Sequence, residues 1–159
     1  MKSLPRYRQC FVCGADNSAG LAITFRTDGE KVYAEFSPRE CHTGYKAHIH
    51  GGILASVLDE IMGWAICART GLMFYTWELT IRYHRPAHPG MRLRAVANMV
   101  EDKGRYQTAE GCITDEQGEI YARGTGKYKP IKDEERAEIL SYLEKEDGER
   151  PTVDDLLGG

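Results

Sequence analysis

His50-Gly51-Gly52-Ile53-Leu54-Ala55-Ser56-Val57-Leu58-Asp59-Glu60-Ile61-Met62-Gly63-Trp64-Ala65-Ile66-Cys67-Ala68 reads as a single helix. It is apolar almost all round, and a helix of that kind is buried rather than laid on a surface. Two carboxylates nevertheless stand near its middle, Asp59 and Glu60. An ionised carboxylate among apolar neighbours is costly unless it is paired, hydrogen-bonded or turned toward a polar cavity. Asp is also a poor helix former, so Asp59 reads as a functional group. Glu60 points about 100° away at ~3.6 residues per turn; only one of the pair then faces a given site, and Glu60 reads as the partner of a strand arginine. Gly51 and Gly52 leave the first backbone N–H groups of the helix unobstructed, a setting that favours negative charge. Asp59 follows Gly51 by eight residues, about 12 Å along the axis at ~1.5 Å per residue. The two cannot touch one carbonyl group. Cooperation between them requires two protomers whose helices run antiparallel across a two-fold axis.

Outward from the helix the pattern changes to strands. Before it, Leu21–Phe25 and Val32–Phe36 alternate around an Asp28-Gly29 turn, and residues 37–49 read as a loop. The helix stops near Gly71. After it come four strand segments, about 74–85, 91–101, 105–115 and 119–129. Pro86 to Gly90 breaks the first from the second, and short turns at Lys103-Gly104 and Glu116–Gly118 join the last three into an antiparallel meander. The expected fold is α+β: one antiparallel sheet of about six strands wrapped around a long central helix. The expected organisation is a domain over 1–132, with residues 1–20 an irregular lead-in, then an acidic helix at about 133–146 and a loose tail over 147–159, the helix and tail being a solvated face. A lone sheet leaves an open edge that pairing with a second copy would cover.

The chain has 159 residues, 42% hydrophobic, and a net charge of −3, the composition of an ordinary globular domain. From Asp133 to the end there are ten acidic and three basic residues, which leaves the remainder at about net +4. That excess suits a phosphate-bearing small ligand and is too weak to argue for nucleic acid. Asp59 and Glu60 interrupt the longest apolar run, so no membrane span is expected. The amino-terminal residues lack the apolar segment of a signal peptide, and five unevenly spaced cysteines fit a reducing, cytoplasmic setting.

Three motifs together resemble the HotDog-fold acyl-CoA thioesterases, in the branch of the phenylacetate-pathway and 4-hydroxybenzoyl-CoA thioesterases. They are His50-Gly51-Gly52 with Asp59 nine residues after the histidine, the strand Thr76-Trp77-Glu78-Leu79-Thr80-Ile81-Arg82-Tyr83-His84-Arg85-Pro86, and a lead-in from Cys10 to Leu21 similar to the Cys-x-x-Cys-Gly-x-x-Asn-x-x-Gly-Leu of one subgroup. The resemblance covers roughly residues 10–130. It implies that Asp59 is the catalytic acid, as general base on water or as nucleophile. It implies that Gly51 of the partner protomer donates its backbone N–H to the thioester oxygen, with Gly52 beside it as a substrate-binding position. Thr76 falls where relatives carry a hydroxyl that orients water, and His50 fixes the loop or polarises the carbonyl. Some relatives have Asn or Gln before the histidine, where this chain has Gly44 with His42, Thr43 and His48 nearby.

Thioester hydrolysis needs few parts. Each preorganised N–H donor is worth roughly 10²–10³ in rate at the developing oxyanion, a carboxylate activates water or attacks directly, and the CoA thiolate leaves without a strong acid. No Gly-x-Ser-x-Gly elbow is present. The expectation is therefore hydrolysis of an acyl-CoA thioester by a homodimer, or a homotetramer made by pairing dimers, with CoA as part of the substrate and neither cofactor nor metal. The rivals are a HotDog hydratase or dehydratase and a non-catalytic acyl-CoA binding module. Cys10 and Cys13 with Cys41 and His42 would supply four zinc ligands, but the adjacent second pair is a poor chelate pattern. The two thiols read instead as a tuck holding the lead-in to the body. Among the basic residues, Arg82, Arg85, Arg105, Lys127 and Lys129 are candidates for phosphate contacts, with Arg82 and His84 on one strand face and Ile81, Tyr83 and Arg85 on the other. Trp64, Met62, Phe74 and Tyr75 are the side chains expected to set the depth of the acyl pocket.

Overall fold

The computed structural model describes residues 1–158. The elements run β1 (Lys2–Ser3), β2 (Arg26–Thr27), β3 (Lys31–Phe36), β4 (Thr43–Tyr45), β5 (His48–Ile49), α1 (Gly51–Thr70), β6 (Phe74–Tyr83), β7 (Leu93–Asp102), β8 (Gln107–Asp115), β9 (Ile120–Pro130), α2 (Asp133–Tyr142) and α3 (Val153–Leu156). Seven strands form one antiparallel sheet in the order β1-β2-β3-β7-β8-β9-β6. The sheet wraps α1, which is the α+β HotDog arrangement expected. The expected meander is β7-β8-β9. The strand that follows the helix, β6, lies outside β9 at the sheet's edge.

The sequence sets α1 at both ends. His50 is its N-cap, its Nδ1 accepting the Gly52 N–H at 2.9 Å, and Gly71 closes it at φ 68° with its N–H on the Cys67 carbonyl. Leu54, Val57, Leu58, Ile61, Met62 and Ile66 are buried against the sheet, each contributing roughly 1.5–3 kcal/mol of burial. The strands let the helix come close. A Cβ on Gly124 would lie 2.9 Å from the Ile81 side chain and 3.2 Å from that of Met62.

The helix is not apolar all round. Gly52, Ala55, Ser56, Asp59, Glu60 and Gly63 recur at helical spacing and remain only partly covered. They make a stripe of small and acidic residues that the sheet does not cover. The helix has 20 residues and a mean hydropathy of 1.4, enough by length and composition to cross a membrane, contrary to expectation. In this fold it is the core around which the sheet closes.

Other expectations are corrected as well. Leu21–Phe25 is not a strand. Ala22 takes a left-handed conformation (φ 51°), which breaks the extended run, and the segment bonds to the lead-in through Leu21 to Phe11 and Ile23 to Val12, each at 2.9 Å. Within the expected 37–49 loop lie the small β4-β5 ribbon and a 3₁₀ turn at Glu40–His42. Nor is the end of the chain loose. Leu156 is fully buried, the Gly158 N–H bonds the Ala68 carbonyl at 3.0 Å, and Lys2 Nζ donates to the Asp154 and Leu157 carbonyls. The lead-in carries β1, and Arg6 pairs with Glu144 through two backbone bonds of 2.8 Å. The two chain ends thus clasp each other over one end of α1.

Candidate active site

A cavity of about 380 Å³ opens along the polar stripe of α1. Asp59, Glu60, Gly63 and Trp64 of α1 form one side, with Phe74 and Thr76 of β6 and Tyr128 of β9 beside them. The opposite wall comes from the chain ends: Tyr7, Cys10 and Cys13 of the lead-in, and Ile139, Tyr142 and Leu143 of α2 and its end. The acidic helix is therefore not merely a solvated face.

Asp59 is held from two directions. Thr76 Oγ1 donates to its Oδ1 at 2.8 Å. Tyr128 OH reaches the Asp59 carbonyl oxygen at 3.0 Å and Oδ1 at 3.3 Å. Thr76 and Tyr128 are cross-strand partners in the β6-β9 ladder, and the register shifts between Thr76 and Glu78. A bulge of this kind re-aims a side chain locally, and here it lies beside the threonine that meets Asp59. Burial and the neighbouring Asp59 charge push the Tyr128 phenol far above its ordinary range, so it remains a hydrogen-bond donor. Sequence reasoning missed Tyr128. Its signal is Gly126, two residues earlier on the same strand face, where a Cβ would lie 2.5 Å from the Tyr128 ring. Gly126→Ala is expected to displace that ring, lower stability by about 1–3 kcal/mol and reduce activity in parallel; a melting curve and a rate assay on the same preparation check this.

Glu60 is placed differently from its expectation. No arginine pairs with it among the described residues. It faces the same cavity as Asp59, because the cavity spans the sector from the β6-β9 end of the sheet round to the lead-in. Cys10 Sγ lies 3.1 Å from Glu60 Oε2. Burial, and then the charge of Cys10, raise the Glu60 carboxyl to about 8. A hydrogen bond from the Cys13 thiol holds Cys10 below the ordinary thiol range.

The other expected residues lie at the far end of α1. His50, Gly51 and Gly52 are absent from the Asp59 cavity, as the 12 Å separation along the helix requires. Gly51 lines a separate depression with Tyr83, His84 and Pro86. Its carbonyl accepts from Tyr83 OH at 2.8 Å, and its N–H has no acceptor among the described residues. The Gly52 N–H is taken by His50 Nδ1, so Gly52 does not present a donor to a ligand. That bond leaves the His50 proton on Nε2. Of the pocket-depth residues, Trp64 and Phe74 line the cavity, Met62 is buried in the core and Tyr75 is exposed. Of the basic candidates, Arg85 pairs with Glu119 and Lys127 with Glu78, while Lys129 Nζ stands 3.9 Å over the Trp77 ring.

Residues 46–122 match the family model described as the thioesterase superfamily. No curated protein matches the chain. Among solved structures, a thioesterase superfamily protein superposes with a TM-score of 0.70 at 27% identity, over 77% of this chain and 60% of that one. A Streptococcus mutans protein bound to acetyl CoA gives 0.61 at 20% identity, over 67% and 88%. A hypothetical thioesterase from Streptococcus pneumoniae, solved with coenzyme A, gives 0.62 at 19% identity, over 67% and 82%.

Proposed function

We propose that this chain, whose residues 46–122 match the thioesterase superfamily model, belongs to that superfamily and hydrolyses an acyl-CoA thioester to a carboxylic acid and free CoA. The observation that carries the reading is Asp59. It is a half-buried carboxylate in an aromatic-walled cavity, bound by one hydroxyl of β6 and one of β9. Held in that way, it can take a proton from water or attack the thioester carbon itself. Relatives of the same fold solved with coenzyme A and acetyl CoA support the substrate class.

The second half of the chemistry needs a donor for the thioester oxygen. Gly51 carries a free N–H at the start of a 20-residue helix, where the backbone dipoles favour negative charge. It does not reach the Asp59 of its own chain, so the reading includes a homodimer in which each site takes Asp59 and Thr76 from one protomer and Gly51 from its partner. The outer edge of β6 is unpaired and bears the exposed Tyr75, Trp77 and Tyr83, an edge suited to such pairing. Five free thiols fit a reducing, cytoplasmic environment, and pairing of dimers into a tetramer is compatible with the scheme.

The test is thiol release by the purified protein against aromatic, short, medium and long acyl-CoA thioesters. Release with a preference within the panel supports the reading. Hydration of an enoyl-CoA without release favours a lyase, and binding without turnover favours a binding module. Thr76→Val keeps the β-branched shape and removes the donor to Asp59. A hydrogen bond to a charged group contributes about 1.5–3 kcal/mol, so kcat should fall roughly 10- to 10²-fold with KM nearly unchanged. A change confined to KM would count against a role for Thr76 in the reaction.

A further inference from the structure

Outside the group of Asp59, Thr76 and Tyr128, the strongest unassigned cluster is Cys10, Cys13 and Glu60. The two sulfurs and a carboxylate oxygen all lie within 4.8 Å of one another, although they come from the lead-in and from the middle of α1. We propose that these three side chains bind a zinc ion that fastens the lead-in to the helix and forms part of the cavity wall.

The local backbone is built to present two sulfurs on one side. The Gly14 N–H bonds the Cys10 carbonyl at 3.0 Å, which folds Cys10–Gly14 into a tight turn, and a Cβ on Gly14 would run into that same carbonyl oxygen. Inside the turn the Val12 N–H donates to Cys10 Sγ at 3.3 Å. A backbone N–H aimed at sulfur stabilises a thiolate, the form that ligates metal. Opposite it, Glu60 Oε2 is 3.1 Å from the same sulfur. At that distance a single proton bridges the sulfur and the oxygen, and a cation bound by both would take its place. Among the described residues, no lysine, arginine or histidine lines the cavity.

The spacing suits zinc. Zn–S of ~2.3 Å and Zn–O of ~2.0–2.2 Å in a tetrahedron put S···S near ~3.8 Å and S···O near ~3.6 Å. With all three atoms within 4.8 Å of one another and Cys10 Sγ 3.1 Å from Glu60 Oε2, those distances are reached by shifts of about 1 Å or less. Two thiolates and a carboxylate are a zinc donor set rather than one for calcium or magnesium. A fourth position is left for water or a ligand from the cavity. Cys41 and His42, the sequence's candidates to complete a site, are elsewhere: Cys41 is exposed, and His42 is buried against the Arg39 N–H and the Ala19 carbonyl. The inference is independent of thioester hydrolysis, since it concerns metal content.

The experiment loads the full-length protein, reduced and stripped by a chelator, with zinc. Stoichiometry is read by elemental analysis after dialysis, and affinity by competition with a chromogenic chelator. One zinc per chain is expected. Cys10→Ser and Glu60→Gln should each weaken binding at least about 100-fold, while Cys41→Ser should leave it unchanged. Cobalt in place of zinc should give the near-ultraviolet thiolate-to-cobalt absorption, lost in Cys10→Ser. Cys13 is buried, so Glu60→Gln, which keeps the side-chain volume, carries the test if Cys13→Ser does not fold. Reduced wild-type protein that retains no zinc overturns the proposal, as does equal zinc binding by Cys10→Ser and Glu60→Gln.

Discussion

Asp59→Asn is expected to reduce thiol release about 10²- to 10⁴-fold, the range spanned by removal of a positioned general base, and by more if the carboxylate is the attacking group. The fold should survive. Asn has the shape of Asp, and its amide oxygen still accepts from Thr76 Oγ1 and Tyr128 OH, now at 2.8 and 3.3 Å from Oδ1. What disappears is the negative charge. The substitution also removes an ionised group from a partly desolvated helix face, so stability should be unchanged or slightly higher. The measurement pairs a steady-state rate with a melting curve. Loss of rate at unchanged melting temperature assigns the chemistry to the carboxylate. Retained activity would sink the assignment and move attention to Glu60, the other carboxylate in the cavity. Single-turnover trapping separates the two modes for Asp59, because only attack by the carboxylate leaves an acyl group on the protein.

Periodicity made the frame of this site legible in the sequence. The helix from Gly51 to Thr70, its glycine stop and the three-strand meander follow local rules of apolar spacing and turn chemistry. Asp59 stood out for the same reason: a charge interrupts an otherwise apolar run. What could not be read was long-range. Tyr128 lies 69 residues from Asp59 and looks like any strand aromatic until the sheet order puts β9 beside β6. The pairing of Glu60 with Cys10 spans 50 residues and depends on a lead-in that has no periodicity of its own. The tail from Asp147 onward has the composition of a solvated segment, and only a few apolar positions, Pro151 and Leu156 above all, reveal that it docks. Composition averages over such single anchors. The order of the sheet was underdetermined too, since a meander rule cannot tell whether β6 joins β7 or β9.

The sharpest consequence of the shared-site reading concerns a backbone atom. Gly51 is the first residue of α1, and its N–H is the proposed oxyanion donor. Proline is well accepted at that position because the N–H there has no helical partner and the ring's φ suits a helix start. The preceding residue must be extended, and His50 already is, at φ −60° and ψ 133°. Gly51→Pro therefore deletes the donor while leaving the helix its cap. The added ring must be accommodated by Tyr83, whose aromatic carbons would stand 3.2 Å from a Cβ at Gly51, a contact that a half-exposed side chain can relieve by a few tenths of an ångström. The expected loss in kcat is about 10²–10³, with acyl-CoA binding retained. Mixing carries the argument further. Asp59→Asn and Gly51→Pro chains, each nearly inactive alone, are unfolded together and refolded in equal amounts. Half of the resulting dimers contain one of each, and in those one site receives Asp59 from the Gly51→Pro chain and Gly51 from the Asp59→Asn chain. Activity should return to about a quarter of the wild-type value. If both catalytic groups belonged to one chain, the mixture would stay as inactive as its parents, and the donor to the thioester oxygen would have to be sought within the Asp59 cavity itself.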